Sequence, residues 1–122
     1  ATDLSLEEAT ALVHAHGGAI YPAHIDRRSN GLLAILGDFP QLPVFSAAEF
    51  HDPQQLQRYQ QMNEMYQSLH LVSASDAHRL CDISEGEHVL PGDIFPVPLE
   101  QMEQDSARRH LLHWLDETVL LE

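Results

Sequence analysis

Three short apolar runs alternate with segments of helical periodicity, and this alternation constrains the fold more than any other feature of the sequence. The strand candidates cover residues 19–22, 43–46 and 69–74. Helices are predicted at residues 5–16, at 32–36 with a stop at Gly37, from residue 53 onward and at 99–118. Strands that are separated by helical crossovers pair in parallel. The sequence therefore predicts an α/β fold of parallel β/α units with a long C-terminal helix, formed by residues 1–122 as a single domain.

Two of these helices carry clear start signals. Ser5 and Glu8 have the spacing of a capping box, in which each side chain pairs with the backbone N–H of the other residue. Asp52 is a favourable N-cap, and Pro53 suits the first turn that follows it. The sequence therefore predicts helix starts at Ser5 and at Asp52–Pro53.

The charge balance limits the classes of partner. Nineteen acidic side chains against six basic ones, all of them arginine, give a formal net charge of −13. Such a surface repels a polyphosphate backbone, so we expect no long nucleic acid as a partner. No apolar run approaches the roughly 20 residues of a bilayer span, and the single cysteine, Cys81, excludes an internal disulfide framework. We therefore expect a cytoplasmic protein with no membrane partner.

The triplet Asp76-Ala77-His78 is the most informative local feature, because it follows the third strand candidate. Residues two apart at a strand end point to one side, so a carboxylate and an imidazole can face one pocket. His24 follows the first strand candidate, and parallel strands end at one edge of their sheet. We therefore predict that His24, Asp76 and His78 bind a divalent metal ion, namely Zn, Mn or Fe. The alternative interpretation of the triplet is an aspartate that caps a turn beside a surface histidine.

Other polar residues leave alternatives open. Arg27 and Arg28 follow His24 closely and either clamp a phosphate oxygen or form a surface pair that offsets nearby acidic groups. His14 and His16 have the spacing of a metal-binding pair, but two residues of helix rotate by about 200°, so their rings face opposite sides. We interpret both histidines as structural, since a histidine in a last helical turn interacts favourably with the helix dipole.

Three segments together resemble the polymerase and histidinol phosphatase (PHP) family of metal-dependent phosphoesterases. They are residues 18–27 (GAIYPAHIDR), 32–37 (LLAILG) and 75–80 (SDAHRL). The resemblance is to the carboxy-terminal part of stand-alone PHP phosphoesterases and covers residues 5–83, which leaves a turn-rich loop and the last helix in residues 84–122. It implies a fold similar to the later part of a distorted β/α barrel.

The resemblance also assigns residues. His24 matches the histidine of the family's third motif, and Asp76 and His78 match the aspartate and histidine of its fourth. In the family, a cluster of metal ions at the carboxyl ends of the strands activates water for attack on a phosphate ester. The family's first motif, an H-x-H on an opening strand, is absent here, and so is the second, which supplies a bridging glutamate and a further histidine.

We therefore expect a partial PHP-type phosphoesterase domain that contributes metal ligands for phosphate-ester hydrolysis and is inactive as an isolated chain. Its partners would be a small phosphate ester and either the missing amino-terminal PHP region or a second copy, because an incomplete barrel exposes strand edges. The alternative is a non-catalytic protein-binding or assembly module with a vestigial metal site.

Overall fold

The structure, a computed structural model, describes residues 2–41, 43–62, 64–84 and 86–121. Over these ranges the helices and strands are α1 (Leu6–Ala15), α2 (Leu32–Leu36), β1 (Ala47–Phe50), α3 (Pro53–Met62), β2 (His70–Ser73) and α4 (Gln104–Leu115). Short 3₁₀ turns cover Glu64–Gln67, Leu80–Asp82, Gly92–Ile94 and Leu99–Gln101. The two strands pair in parallel, with Ala47 opposite His70 and Phe50 opposite Ser73. The fold is thus mixed α/β with a parallel sheet and a C-terminal helix, as predicted.

The predicted helix signals form the expected contacts. At the start of α1, the backbone N–H of Glu8 donates to Oγ of Ser5 at 3.1 Å. The backbone N–H of Ser5 donates to Glu8 Oε2 at 2.8 Å, and this hydrogen bond is the main cause that lowers the pKa of Glu8. At the end of α2, Gly37 adopts a left-handed φ of +81° and its N–H donates to the carbonyl oxygen of Leu33. Local side-chain chemistry therefore determines these helix ends.

The first two strand predictions need correction. Residues 19–22 form no strand, although Pro22 accepts a hydrogen bond from Glu49 and Ile25 donates one back to Glu49, each at 2.9 Å. A longer ladder is prevented because Pro22 has no N–H to donate and His24 turns the backbone to φ +32°. The second strand lies not at 43–46 but four residues later, at Ala47–Phe50, where the chain pairs with β2. The third strand, predicted at 69–74, is confirmed as His70–Ser73.

The last helix is shorter than the predicted span 99–118. Met102 and Glu103 are extended, with ψ of 147° and 144°, so Leu99–Gln101 remains a separate 3₁₀ turn and α4 begins at Gln104. The helix ends before Asp116, which is also extended. There the Asp116 carboxylate accepts the backbone N–H of Thr118, a local bond that competes with helix continuation.

The hydrophobic core holds the first loop in place. Its buried members are Ile25, Phe39, Phe45, Ala48, Phe50 and Tyr66. The rings of Phe39 and Tyr66 pack edge to face, with centroids 5.8 Å apart. Ile25 has no exposed surface, so the two polar residues beside it in sequence, His24 and Asp26, have fixed positions at the edge of the core. No helix in the described ranges is both long and apolar enough to cross a membrane.

Candidate functional site at the ends of the parallel segments

The loops that follow Pro22, β1 and β2 are joined to one another. The Asp26 carboxylate accepts the backbone N–H groups of His51 at 2.7 Å and Asp52 at 2.9 Å, which directly follow β1. Arg27 donates from Nη1 to Oδ2 of Asp76, which lies just beyond β2. Because the first loop contacts both of the others, the three loops lie together.

His24 has a ring nitrogen without a partner. Its Nδ1 is buried and makes no hydrogen bond to any of the described residues. Its backbone lies in the left-handed region, at φ +32°. An unpaired buried polar group costs about 1–3 kcal/mol, and a strained backbone costs a similar amount. Unpaired polar groups and strained backbone are typical of functional sites, so the Nδ1 atom of His24 is available for a ligand or partner.

Gly31 allows the loop that carries His24 to turn directly into α2. A Cβ atom at Gly31 would clash with the carbonyl oxygen of Arg27 and would lie 3.0 Å from that of His24. The loop is tied to α2 by a hydrogen bond from the N–H of Leu33 to the carbonyl oxygen of Ile25, at 3.3 Å. Only glycine therefore permits this path of the chain at residue 31.

Asp76 is already paired with a cation. Its carboxylate accepts a charge-assisted hydrogen bond from Arg27, across 49 positions of sequence. The Asp76 side chain is 23% exposed and that of Arg27 is 39% exposed, so both are within reach of solvent. Asp76 also has a left-handed backbone, at φ +51°. The ion pair is therefore partly screened and can exchange its partners.

His78 has a defined tautomer. Its Nδ1 lies 2.7 Å from the backbone carbonyl oxygen of Asp76, and because a carbonyl oxygen only accepts, this nitrogen carries the hydrogen. In the neutral ring the lone pair then lies on Nε2, as it does in metal-binding histidines whose other nitrogen donates to a carbonyl. The side chain is 78% exposed, and Nδ1 is 4.0 Å from Oδ1 of Asp76. His78 and Asp76 thus form an adjacent imidazole–carboxylate pair at the surface.

The three predicted ligands do not form a metal centre by themselves. Within the part of the chain that the structure describes, no group of three or more His, Cys, Asp or Glu side chains is placed to hold a metal ion. Asp76 and His78 lie side by side, but one oxygen of Asp76 is taken by Arg27. Protein zinc sites use at least three protein ligands, and the other candidate metals have similar needs. The residues present therefore do not fit Zn, Mn or Fe without further donors.

A cavity of about 470 Å³ lies between the first loop, α2, α3 and the 3₁₀ turn at Glu64–Gln67. Arg27 and Arg28 line it together with Tyr59 and Tyr66, whose ring centroids are 5.3 Å apart. Burial raises the pKa of the Tyr66 phenol, and the negative charge of Asp38 adds to this effect. Tyr66 is therefore a neutral group at physiological pH. The volume of the cavity lies within the range of small-molecule sites.

A second polar cluster joins the two ends of the described chain. The Asp116 carboxylate accepts hydrogen bonds from His14 Nε2 at 2.6 Å and from the N–H of Ile20 at 3.2 Å. It also accepts the hydroxyl of Thr118 at 2.6 Å and its N–H at 3.1 Å. Burial raises the pKa of Asp116, but the hydrogen bonds from Thr118, His14 and Ile20 outweigh burial and leave the pKa below the ordinary value of 3.8. Asp116 is therefore a fully paired, buried carboxylate.

This second cluster does not have the arrangement of a nucleophilic site. The hydroxyl of Thr118 donates its hydrogen to Asp116, and the Nε2 of His14 donates to the same carboxylate. His14 therefore has no free lone pair on Nε2 with which to activate the hydroxyl. The ring Nδ1 of His16 lies 2.9 Å from the carbonyl oxygen of Leu12, in the helix that His16 caps. The two histidines face different surroundings, as helix rotation predicts.

Sequence reasoning missed Asp26 and Asp116. Asp26 lies two residues after His24, and its position beyond a strand candidate was an available signal. Asp116 and Thr118 have the Asp-x-Thr spacing of a local turn in which the carboxylate accepts from the residue two positions later. The pairing of Asp116 with His14 has no local signal, because 102 positions of sequence separate the two residues.

Comparisons of the chain with protein-family models, with curated proteins and with solved structures gave no match.

Proposed function

We propose that this chain is the later part of a PHP-type metal-dependent phosphoesterase, with a fold similar to the later part of a distorted β/α barrel. It contributes His24, Asp76 and His78 to a site for small phosphate esters. The observation that carries the proposal is the junction of three loops, made by Asp26 with residues 51–52 and by Arg27 with Asp76. This junction supports the proposal because parallel β/α folds carry their reactive groups on the loops after the strands.

The state of the two histidines also supports the proposal. His78 directs its protonated Nδ1 to a carbonyl oxygen, which leaves Nε2 available as a ligand. His24 has a buried Nδ1 that no described residue satisfies. These donors are too few for a metal centre, so further ligands must come from the missing amino-terminal PHP region or from a second copy. The isolated chain is therefore expected to have little or no phosphoesterase activity.

The two arginines have different roles in this proposal. Arg27 is held by Asp76, whereas Arg28 is exposed and makes no ion pair with a described residue. A guanidinium group binds phosphate oxygens in a planar, two-pronged geometry. Arg28 is therefore the available phosphate-binding group at the cavity of about 470 Å³ that both arginines line.

The test combines metal content with molar mass on one sample. The chain is incubated with Mn²⁺, desalted, and analysed by elemental analysis and light scattering, followed by an assay of phosphate release from p-nitrophenyl phosphate. We expect less than one retained ion per monomer and no turnover by the monomer. His24→Ala and Asp76→Ala should lower metal retention in any assembled species, whereas His16→Ala serves as the matched histidine control. Metal-dependent turnover by a monomer would contradict the need for a second part.

A second function, as a non-catalytic protein-binding or assembly module, is favoured by the apolar residues between β2 and α4. Leu80 is 88% exposed and Val89 is 79% exposed, although burial of such side chains is favourable. Leu80→Ser and Val89→Ser separate the two functions. If they abolish an association that persists without metal and without His24, the assembly function is the better description.

A further inference from the structure

A groove of about 450 Å³ lies between α4 and the segment that precedes it. On α4 the lining residues have the spacing i, i+3, i+4 and i+7, which places them on one face of the helix. They are Gln104, Ala107, Arg108 and Leu111. The preceding segment adds Leu99 and Met102. The groove therefore follows about two turns of α4 and has a mostly apolar lining.

The groove face of α4 is not covered by the rest of the chain. The structure describes every residue of this helix, and none of them is buried. Beside the helix, the side chain of Leu99 is 54% exposed. Exposed apolar surface of this kind marks interaction sites, and an amphipathic helix binds such a groove through apolar residues at the same helical spacing. The groove therefore fits a helix as its occupant.

The charges beside the groove indicate which helix this is. Asp105 lies in the first turn of α4 and Arg108 lies three residues later. Both are exposed, and neither forms an ion pair with another described residue. In a two-fold interface, residue i of one copy contacts residue j of the other and j contacts i. Two antiparallel α4 helices with the axis near Ala107 therefore place each Asp105 beside Arg108 of the partner subunit.

We infer that this groove is an interface between two copies of the chain, in which the α4 helices pair antiparallel about a two-fold axis. In this arrangement Leu111 of each copy meets Met102 of the partner subunit, so apolar contacts accompany the two ion pairs. The net charge of −13 on each copy opposes association, so the dimer is weak and reversible. The inference goes beyond the proposed function and needs no metal ion.

The experiment measures molar mass by light scattering over about 1 μM to 1 mM, the range of dissociation constants of weak interfaces. The mass should rise with concentration from that of one chain, 13.7 kDa, toward twice this value. Asp105→Arg and Arg108→Asp each place like charges together in both ion pairs, so each should weaken the dimer more than about tenfold. The chain that carries both changes should recover the dimer. Arg58→Asp, at an exposed arginine of α3, is the matched control.

A cross-link tests the same arrangement without reversing a charge. Ala107→Cys places a thiol next to the proposed two-fold axis, so mild oxidation should link two copies through this residue. The background is Cys81→Ser, because Cys81 is an exposed free thiol. Ser106→Cys is the control, since one residue of helix turns its side chain by about 100°, away from the groove. Circular dichroism shows whether each variant folds.

The results distinguish this interface from other modes of association. Loss of the dimer in both single reversals, recovery in the combined variant and cross-linking at residue 107 in preference to 106 would support the inference. A dimer that ignores the reversals but is lost in Leu80→Ser would place the second copy on another surface and overturn it. A constant mass of 13.7 kDa would also overturn it. The proposed function would then depend on the missing amino-terminal PHP region instead of a second copy.

Discussion

Asp116 and Asp76 are both aspartates that contact a basic side chain from a distant part of the chain, yet their surroundings are opposite. Asp116 is 2% exposed, and its two oxygens accept four hydrogen bonds, from His14, Ile20 and Thr118. The Asp76 side chain is 23% exposed, and one of its oxygens pairs with Arg27. The comparison shows that an aspartate stabilises the fold where it is buried and fully hydrogen-bonded. Where it is partly exposed, its ion pair can exchange partners.

The largest expected difference is in stability. Asp116→Ala removes the buried carboxylate that accepts four hydrogen bonds, from His14, Ile20 and Thr118, so it should lower the free energy of unfolding by about 3 kcal/mol. Urea unfolding monitored by circular dichroism measures the change. Asp93→Ala, at an exposed carboxylate, is the matched control and should stay within about 0.5 kcal/mol of the parent. A loss below about 1 kcal/mol in Asp116→Ala would remove the distinction between the two aspartates.

The decrease in the free energy of unfolding at acid pH should depend on Asp116. Because its folded pKa lies below the ordinary value of 3.8, its contribution to stability is fully present above that value and is lost as the pH falls through the folded pKa. Urea unfolding at several pH values below about 4 should therefore show a steeper loss in the parent than in Asp116→Asn. Parallel curves for the two proteins would contradict this assignment.

A substitution at His14 measures how much the hydrogen bond to Asp116 contributes to stability. His14→Ala removes one charge-assisted hydrogen bond to Asp116, and we expect a loss of about 1.5 kcal/mol in the free energy of unfolding. His16→Ala is the matched control, because it removes a histidine at the C-cap of α1 and loses the exposed hydrogen bond between its ring and the carbonyl oxygen of Leu12. If both variants change stability equally, the pairing with Asp116 contributes nothing specific.

The smallest effect is expected at the candidate site. Asp76→Ala breaks a half-exposed ion pair, so the free energy of unfolding should fall by less than about 1 kcal/mol in the same urea assay. Screening by salt should shrink this difference further, and repeating the titration at about 1 M NaCl measures it. A loss of unfolding free energy as large as that of Asp116→Ala would mean that Asp76 mainly stabilises the fold. It would weaken the proposed role of Asp76 as a ligand.

Local signals predicted part of the fold well. The capping box of Ser5 and Glu8 and the stop at Gly37 are made by neighbouring residues, and the helix ends formed where these residues indicate. The position of β1 was wrong by four residues, because a strand is defined by its pairing partner as well as by its own apolar run. The end of α4 was also wrong, because the Asp116 carboxylate accepts the N–H of Thr118 while His14 and Ile20 bond to the same carboxylate.

The sequence likewise indicated candidate residues of the site but not the contacts between them. The sequence indicated His24, Asp76 and His78 because each lies just beyond a predicted strand, and it indicated Arg27 as a phosphate ligand or surface residue. It did not indicate that Arg27 pairs with Asp76, across 49 positions, or that Asp26 bonds to the residues after β1. These contacts depend on how the loops meet, which no spacing in the sequence encodes.

The sequence by itself determined the helix caps, because each depends on side chains that are near one another in the chain. It also predicted the parallel pairing, because strands joined through a helical crossover pair in parallel. The tertiary structure alone decided that Asp116 is buried and that Asp76 stays accessible to solvent and to other partners. Burial and pairing are set by groups from distant elements, as with Asp116 against His14 and Asp76 against Arg27. An aspartate has the same local conformational preferences in both places. The packing around it therefore determines the free energy of its charged carboxylate.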